Sequence, residues 1–179
     1  MHSSVMAFVK DVVCEREIKG KRVLEVGAMN VNGTIRPIIE AFGPMEYVAT
    51  DMLDGLGVDI VVPAEELTRE FGKSSFDAVF CVETLEHMKT WVIALRNMKA
   101  VCKLGGIILL TARGPGFPRH DYPSDYWRFT EEDMAHILGD CTAPDIRPDP
   151  EMPGLFAKAK KPKGFKIKDL SKYRVAGID

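Results

Sequence analysis

The chain has 179 residues, of which 46% are apolar and 28% charged, and its 24 basic and 26 acidic side chains nearly cancel. That length suits one domain with a real core, and the near-zero balance excludes a general electrostatic pull toward nucleic acid or an anionic membrane. No apolar run approaches the length of a membrane span, and the chain does not open on a basic segment leading into an apolar one, so a cytoplasmic location is expected.

Val5, Phe8, Val9, Val12 and Val13 recur near the helical period, with Ser3 or Ser4 available as a cap. Gly20 and the charged segment 19–22 break that helix. Residues 23–26 form an apolar strand that stops at Gly27, with the acid Glu25 just before it. The next helix is expected over 34–42, placing Pro37 in its first turn, and Gly43-Pro44 ends it. A second strand covers 47–50 and runs into Asp51. A third covers 58–62 and is closed by Pro63.

A short helix over 65–71 follows, then a strand at 76–82 ending near Glu83. The segment 91–101 carries Val92, Leu95, Met98 and Val101 on one helical side. Leu104-Gly105-Gly106 turns the chain into a strand over 107–111. Residues 113–128 are rich in glycine, proline and aromatic side chains and are expected to be loop. Thr130 caps a helix running to Leu138, and strands are expected at 145–147 and, more strongly, at 154–159. The domain is therefore placed at 1–160, with 161–179 as a loosely held basic tail whose lysines face water. Short apolar strands alternating with helices imply a doubly wound α/β sheet, covered on both faces.

The cysteines Cys14, Cys81, Cys102 and Cys141 show no C-x-x-C or metal-ligand spacing, so no metal is expected. Cys81 and Cys102 sit in apolar contexts and suit small core positions.

Four features fall at the carboxyl ends of successive strands, where such sheets bind ligands. They are Glu25 with Gly27, then Asp51, then the turn Pro63-Ala64-Glu65, then Cys81-Val82-Glu83. A carboxylate after the second strand can accept both hydrogen bonds of a ribose diol. Neither G-x-x-x-x-G-K-[ST] nor G-x-G-x-x-G is present, which disfavours a clamped pyrophosphate and with it a dinucleotide-dependent oxidoreductase.

Together V-L-E-V-G at 23–27, Y-V-A-T-D at 47–51, V-D-I-V-V-P-A-E-E-L at 58–67, F-D-A-V-F-C-V-E-T-L-E-H at 76–87 and L-G-G-I-I-L-L-T at 104–111 resemble the class I S-adenosylmethionine-dependent methyltransferases of the type 11 kind. The resemblance covers roughly residues 20–160 and implies a Rossmann-like sheet of seven strands with the last one antiparallel. It implies S-adenosyl-L-methionine as cofactor, with S-adenosyl-L-homocysteine as product. It also implies that Glu25, Gly27, Ala28 and Met29 flank the methionine part, that Asp51 holds the ribose and Met52 packs on adenine, and that Ala64 and Glu65 lie at the adenine edge. Cys81, Val82 and Glu83 would border the sulfonium. Two glycines usual in the first turn are replaced here, and Pro63 stands where an adenine-side aspartate is usual.

The segment His120-Asp121-Tyr122-Pro123-Ser124-Asp125-Tyr126-Trp127-Arg128-Phe129-Thr130 resembles one found in a subgroup of these enzymes. His120 is the candidate base, because an imidazole titrates near neutrality. Tyr122, Asp125, Tyr126 and Arg128 are the candidate acceptor pocket, with Asp125 and Glu83 as available partners for Arg128. His87 suits a structural or cofactor-side role. The expected activity is methyl transfer to a small molecule or saccharide, at oxygen, without nucleic acid or membrane as partner. The alternative reading is a non-catalytic cofactor- or partner-binding protein on a degenerate methyltransferase fold.

Overall fold

In the computed structural model, which describes residues 2–121 and 123–178, the short apolar runs become strands of one sheet. The strands β1 (Arg22–Val26), β2 (Glu46–Asp51), β3 (Ile60–Val61), β4 (Phe76–Val82) and β5 (Cys102–Arg113) pair in parallel in the order β3-β2-β1-β4-β5. The β5 edge continues with β8 (Gly154–Lys160) and then β7 (Thr142–Pro148). Because β8 runs antiparallel to both of its neighbours, the last strand of the seven is the antiparallel one, as expected.

Side chains alternate across the strands, so each strand feeds two cores. Leu24, Val79, Cys81, Ile108 and Leu110 pack on one face, beneath α4 (Leu67–Phe71), α5 (Trp91–Val101) and α6 (Glu131–Ile137). Val23, Ala49, Phe80, Ile107 and Leu109 pack on the other, beneath α1 (Ser3–Val12), α2 (Glu15–Ile18) and α3 (Arg36–Glu40). Among the described residues no helix is long and apolar enough to cross a membrane.

Several elements differ from expectation for local reasons. Helix α3 covers only Arg36–Glu40, with Pro37 in its first turn. The edge strand β3 is reduced to two residues, since Asp59 and Val62 already reach the carbonyls of Ala49 and Asp51 from outside it. Helix α2 was not foreseen; the backbone N–H of Cys14 donates to Glu17 and closes a capping box around its first turn. In α6 the expected cap forms, Thr130 Oγ1 accepting from the N–H of Asp133 at 3.1 Å.

The segment after 160 is not loosely held. Leu170 and Val175 enter the core, and Tyr173 stacks on His136 at 4.0 Å. Lys161 is buried, donating to the carbonyls of Lys99 and Cys102. Near the end, β9 (Ala176–Gly177) pairs with β6 (Trp127–Arg128). A reading that weighed the lysines missed the apolar side chains spaced among them. This contact matters for function because β6 ends the loop that carries His120.

Candidate functional site

The carboxyl ends of β1, β2 and β4 and the loop after β5 enclose one cavity of about 620 Å³, a size suited to a metabolite or nucleoside-sized ligand. Its floor begins where β1 stops. The N–H groups of Gly27 and Ala28 both donate to the Thr50 carbonyl, at 2.8 and 2.9 Å, which folds the turn back over β2. Gly27 has φ +73°, and a Cβ there would overlap the Thr84 side chain. Only glycine permits both the left-handed backbone and the close approach. Thr84 closes the junction by sharing its hydroxyl between the carbonyls of Val82 at 2.9 Å and Gly27 at 3.2 Å.

Asp51 organises the same turn from the other side. Its carboxylate accepts the N–H of Met29 at 3.2 Å and of Leu53 at 3.1 Å. Two oxygens offer about four lone-pair directions, so capacity remains for a ligand diol in the cavity that Asp51 lines. Val62, Pro63, Ala64 and Glu65 form the neighbouring wall, with Glu65 accepting from the Thr90 hydroxyl.

Glu25 is buried, and the Tyr47 hydroxyl donates to it. Burial pushes its carboxyl up to about 7, with the Tyr47 hydrogen bond opposing. A pKa raised on folding means that the native state is favoured while the group is protonated. This contribution is complete below about 4.5 and is lost as pH rises through about 7. Going from pH 5 to pH 8, the wild type should therefore lose roughly 2.5 kcal/mol that Glu25→Gln does not lose. Urea titrations of both proteins at the two pH values measure the difference, and parallel losses would contradict it.

Glu83 follows β4 with φ 53°, a strained value for a residue with a side chain. The conformation is held from two sides. Its N–H reaches Thr111 Oγ1 at 2.9 Å, and its carboxylate accepts the Thr111 hydroxyl and pairs with Arg113. The Arg113 side chain is 1% exposed, also pairs with Asp149 at 3.1 Å, and lies 4.6 Å over the Phe117 ring. Burial lowers its pKa, and Asp149 opposes that.

The far end of the cavity joins the turn Leu85–His87 to the loop around His120. His120 Nδ1 stands 2.8 Å from Asp125 Oδ2, and that same oxygen accepts the backbone N–H of His120 at 2.9 Å. Asp125 is gripped bidentately by Arg128, at 2.7 and 2.8 Å. His87 Nδ1 lies 2.6 Å from the Ser124 carbonyl, and burial lowers its pKa. The two imidazoles meet edge to face with centroids 4.7 Å apart. Between them Glu86 is fully buried, and neither of its oxygens has a hydrogen-bond partner among the described residues. Burial pushes its carboxyl up to about 8, with the nearby backbone N–H groups of Glu86 and Arg113 opposing and Asp125 adding. The backbone ties the two segments together, since the N–H of Tyr126 donates to the Glu86 carbonyl at 3.0 Å and the Trp127 indole donates to the Met88 carbonyl at 2.9 Å.

The structure brings most of the expected site residues to the cavity: Glu25, Gly27, Ala28, Met29, Asp51 and Met52 from the first two strand ends, Ala64, Glu65, Val82 and Glu83 from the next two, and His120 and Tyr126 from the loop. Three are placed elsewhere. Cys81 alternates away from Val82 into the core under α5 and is fully buried. Asp125 and Arg128 are buried behind His120, spent on each other and on the loop. Tyr122 lies outside the described residues. Thr84, Glu86, Arg113 and Phe117 were not anticipated. The run Glu83-Thr84-Leu85-Glu86-His87, directly after a strand end, was the available signal for two of them.

The chain matches the methyltransferase-domain family over residues 39–110. No curated protein matches the sequence. Its fold is similar to a Burkholderia thailandensis 1,6-didemethyltoxoflavin-N1-methyltransferase with bound 1,6-didemethyltoxoflavin and S-adenosylhomocysteine, at TM-score 0.68 and 17% identity over 89% of this chain and 79% of that one. An Archaeoglobus fulgidus S-adenosylmethionine-dependent methyltransferase aligns at TM-score 0.70 and 15% identity, over 88% and 93% of the two chains. One from Mesorhizobium loti aligns at TM-score 0.65 and 13% identity, over 88% and 98%.

Proposed function

We propose that this chain, a class I S-adenosylmethionine-dependent methyltransferase, methylates an oxygen of a small molecule or saccharide. The observation that carries the acceptor reading is the two-ended cavity. One end is a glycine turn ringed by Glu25, Asp51 and Glu65; the other is His87 and His120 beside Phe117 and Tyr126, with Glu86 buried behind the histidines. A single cavity of about 620 Å³ leaves room beside a nucleoside-sized cofactor for a small acceptor. The small acceptor bound to the Burkholderia neighbour supports the same class.

The residues fit the cofactor. Asp51 has lone pairs left for ribose hydroxyls, and the Gly27 turn offers backbone where a Cβ would not fit. Ala64, Glu65 and Met52 would border the adenine, and Glu25, Ala28, Met29, Val82 and Glu83 the methionine end. Bound there, the cofactor supplies an electrophilic methyl group on a cationic sulfur. The chain's own task is to orient the acceptor and hold its proton. His120, aligned by Asp125 and Arg128, is the group we assign to that proton, taken at Nε2. Phe117 and Tyr126 line the acceptor end.

Calorimetry with S-adenosylhomocysteine tests the cofactor end. Asp51→Ala should weaken binding about 10- to 100-fold, the value of hydrogen bonds to a charged group. His120→Ala should leave that affinity within about twofold while turnover on a panel of hydroxylated acceptors falls about 100-fold or more. Absence of binding by the wild type would overturn the reading. Binding without turnover across the panel would favour the non-catalytic alternative.

A further inference from the structure

We propose that Glu86, His87 and His120 bind one divalent transition-metal ion at the acceptor end of the cavity, and that the acceptor completes its coordination through oxygen. What the ion does there rests on the methyl-transfer reading; whether it binds does not.

Three independent features converge. First, one donor atom from each of the three residues lies within 4.8 Å of the others. Ligand atoms around a single ion at 2.0–2.2 Å stand roughly 3–3.5 Å apart, so side-chain rotations of about an ångström close the set. Second, Glu86 is 0% exposed, and among the described residues neither of its oxygens meets a hydrogen-bond partner. A buried carboxylate without a hydrogen bond is expensive and rare in folded proteins. A proton would relieve the charge, yet the facing His120 Nε2 is 3.9 Å away, too far to accept it. A cation between the two relieves both. Third, both imidazoles are positioned by neighbouring oxygens: His87 through Nδ1 by the Ser124 carbonyl at 2.6 Å, and His120 through its backbone N–H by Asp125, whose carboxylate stands 2.8 Å from Nδ1. The Ser124 carbonyl can only accept, so it fixes the His87 proton on Nδ1 and leaves Nε2 with its lone pair. Metal-binding histidines are oriented in this way by a second layer of acceptors. Here a third layer, the bidentate Arg128–Asp125 pair, holds the second.

Two imidazoles and one carboxylate suit zinc, cobalt, nickel or iron better than magnesium or calcium. His87 and His120 line the cavity, so open coordination positions face the acceptor. Glu83 is not part of the set, because Arg113 and Thr111 occupy its oxygens. A hydroxyl bound to such an ion ionises far more readily than a free one. The acceptor proton then leaves to solvent, its oxygen attacks the methyl carbon, and the carbon–sulfur electron pair stays on sulfur. In this state Nε2 of His120 serves the ion and does not take the proton itself. Acceptors with two adjacent oxygens, such as vicinal diols, catechols or hydroxycarbonyl compounds, are favoured because they chelate.

The test is titration of chelator-treated protein with Co2+, followed by visible d–d absorption, and with Zn2+ by calorimetry. One ion per chain with Kd of about 1 μM or tighter is expected. His87→Ala and His120→Ala should weaken it at least about 100-fold, and Asp125→Asn about 10- to 100-fold. Glu86→Gln should lose the ion while the metal-free variant melts no lower than the wild type, since an amide of the same shape replaces a buried carboxyl. Failure of either ion to bind tighter than about 1 mM, or unchanged binding in Glu86→Gln, overturns the proposal. S-adenosylhomocysteine titrated into the same samples separates the two readings. Cofactor binding without metal binding sinks the metal site alone, and metal binding without cofactor binding sinks the function proposed above.

Discussion

Arg113→Met is expected to destabilise the protein by about 3–5 kcal/mol, the cost of stripping one partner from a buried charge network. For a chain of this length that lowers the melting temperature by about 10 °C. The guanidinium is 1% exposed and lies between Glu83 and Asp149, whose side chain is fully buried. Methionine fills much of the volume and keeps a contact with Phe117, so the loss isolates charge from packing. Removing the arginine leaves Asp149 charged and Glu83 free to relax from its left-handed backbone. Combining the change with Asp149→Asn should recover part of the stability, because the stranded charge is then gone. Thermal melts of the two variants measure it, and a single variant within about 1 kcal/mol of wild type would show that the network carries no stability. Glu83 borders the cavity, so the same variant should also weaken S-adenosylhomocysteine binding.

The other large effect is expected at the first turn. Gly27→Ala should reduce S-adenosylhomocysteine affinity by about 100-fold or more, close to 3 kcal/mol. Two costs combine. A side chain at φ +73° carries about 1–2 kcal/mol of backbone strain. The new Cβ would also stand 2.6 Å from Thr84 Cβ and closer still to its methyl group. Thr84 cannot swing aside freely, because its hydroxyl bridges the ends of β1 and β4. The turn must therefore shift, and with it the Met29 N–H that reaches Asp51. Thr84→Gly in the same chain removes the overlap but leaves the backbone strain, so the double variant should bind between the two. Calorimetry decides, and a Gly27→Ala protein that binds within twofold of wild type would refute the role assigned to this turn.

These two sites differ in how visible they were beforehand. Gly27 stood out because it interrupts an apolar run directly after an acid, a strictly local pattern. Arg113 sits at the end of β5 with nothing nearby in sequence to mark it; its partners come from the end of β4 and the approach to β8. The same contrast separates Asp51 from Glu86. Asp51 could be placed from the end of its strand alone. That Glu86 is sealed, without a side-chain partner among the described residues, depends on a distant segment that docks on it through the Tyr126 N–H. The two strand-four neighbours show the limit of reading by position: Val82 borders the cavity, and Cys81 alternates into the core.

By itself the sequence determined the elements whose signal is local. Phe76–Val82 and Trp91–Val101 appear with the bounds expected of them, because apolar period and turn residues act within a few positions of one another. It also marked where a ligand would sit, since the acids and the glycine turn recur at successive strand ends and the sheet gathers strand ends on one rim. Only the tertiary structure decided which charges are spent and which remain. Arg128 goes to Asp125, Arg113 to Glu83 and Asp149, and the tail folds back so that β9 supports β6. Those outcomes depend on desolvation and on contacts between distant segments. That is also why two histidines and a bare carboxylate could be read one at a time in the chain and understood as a cluster only once they stood together.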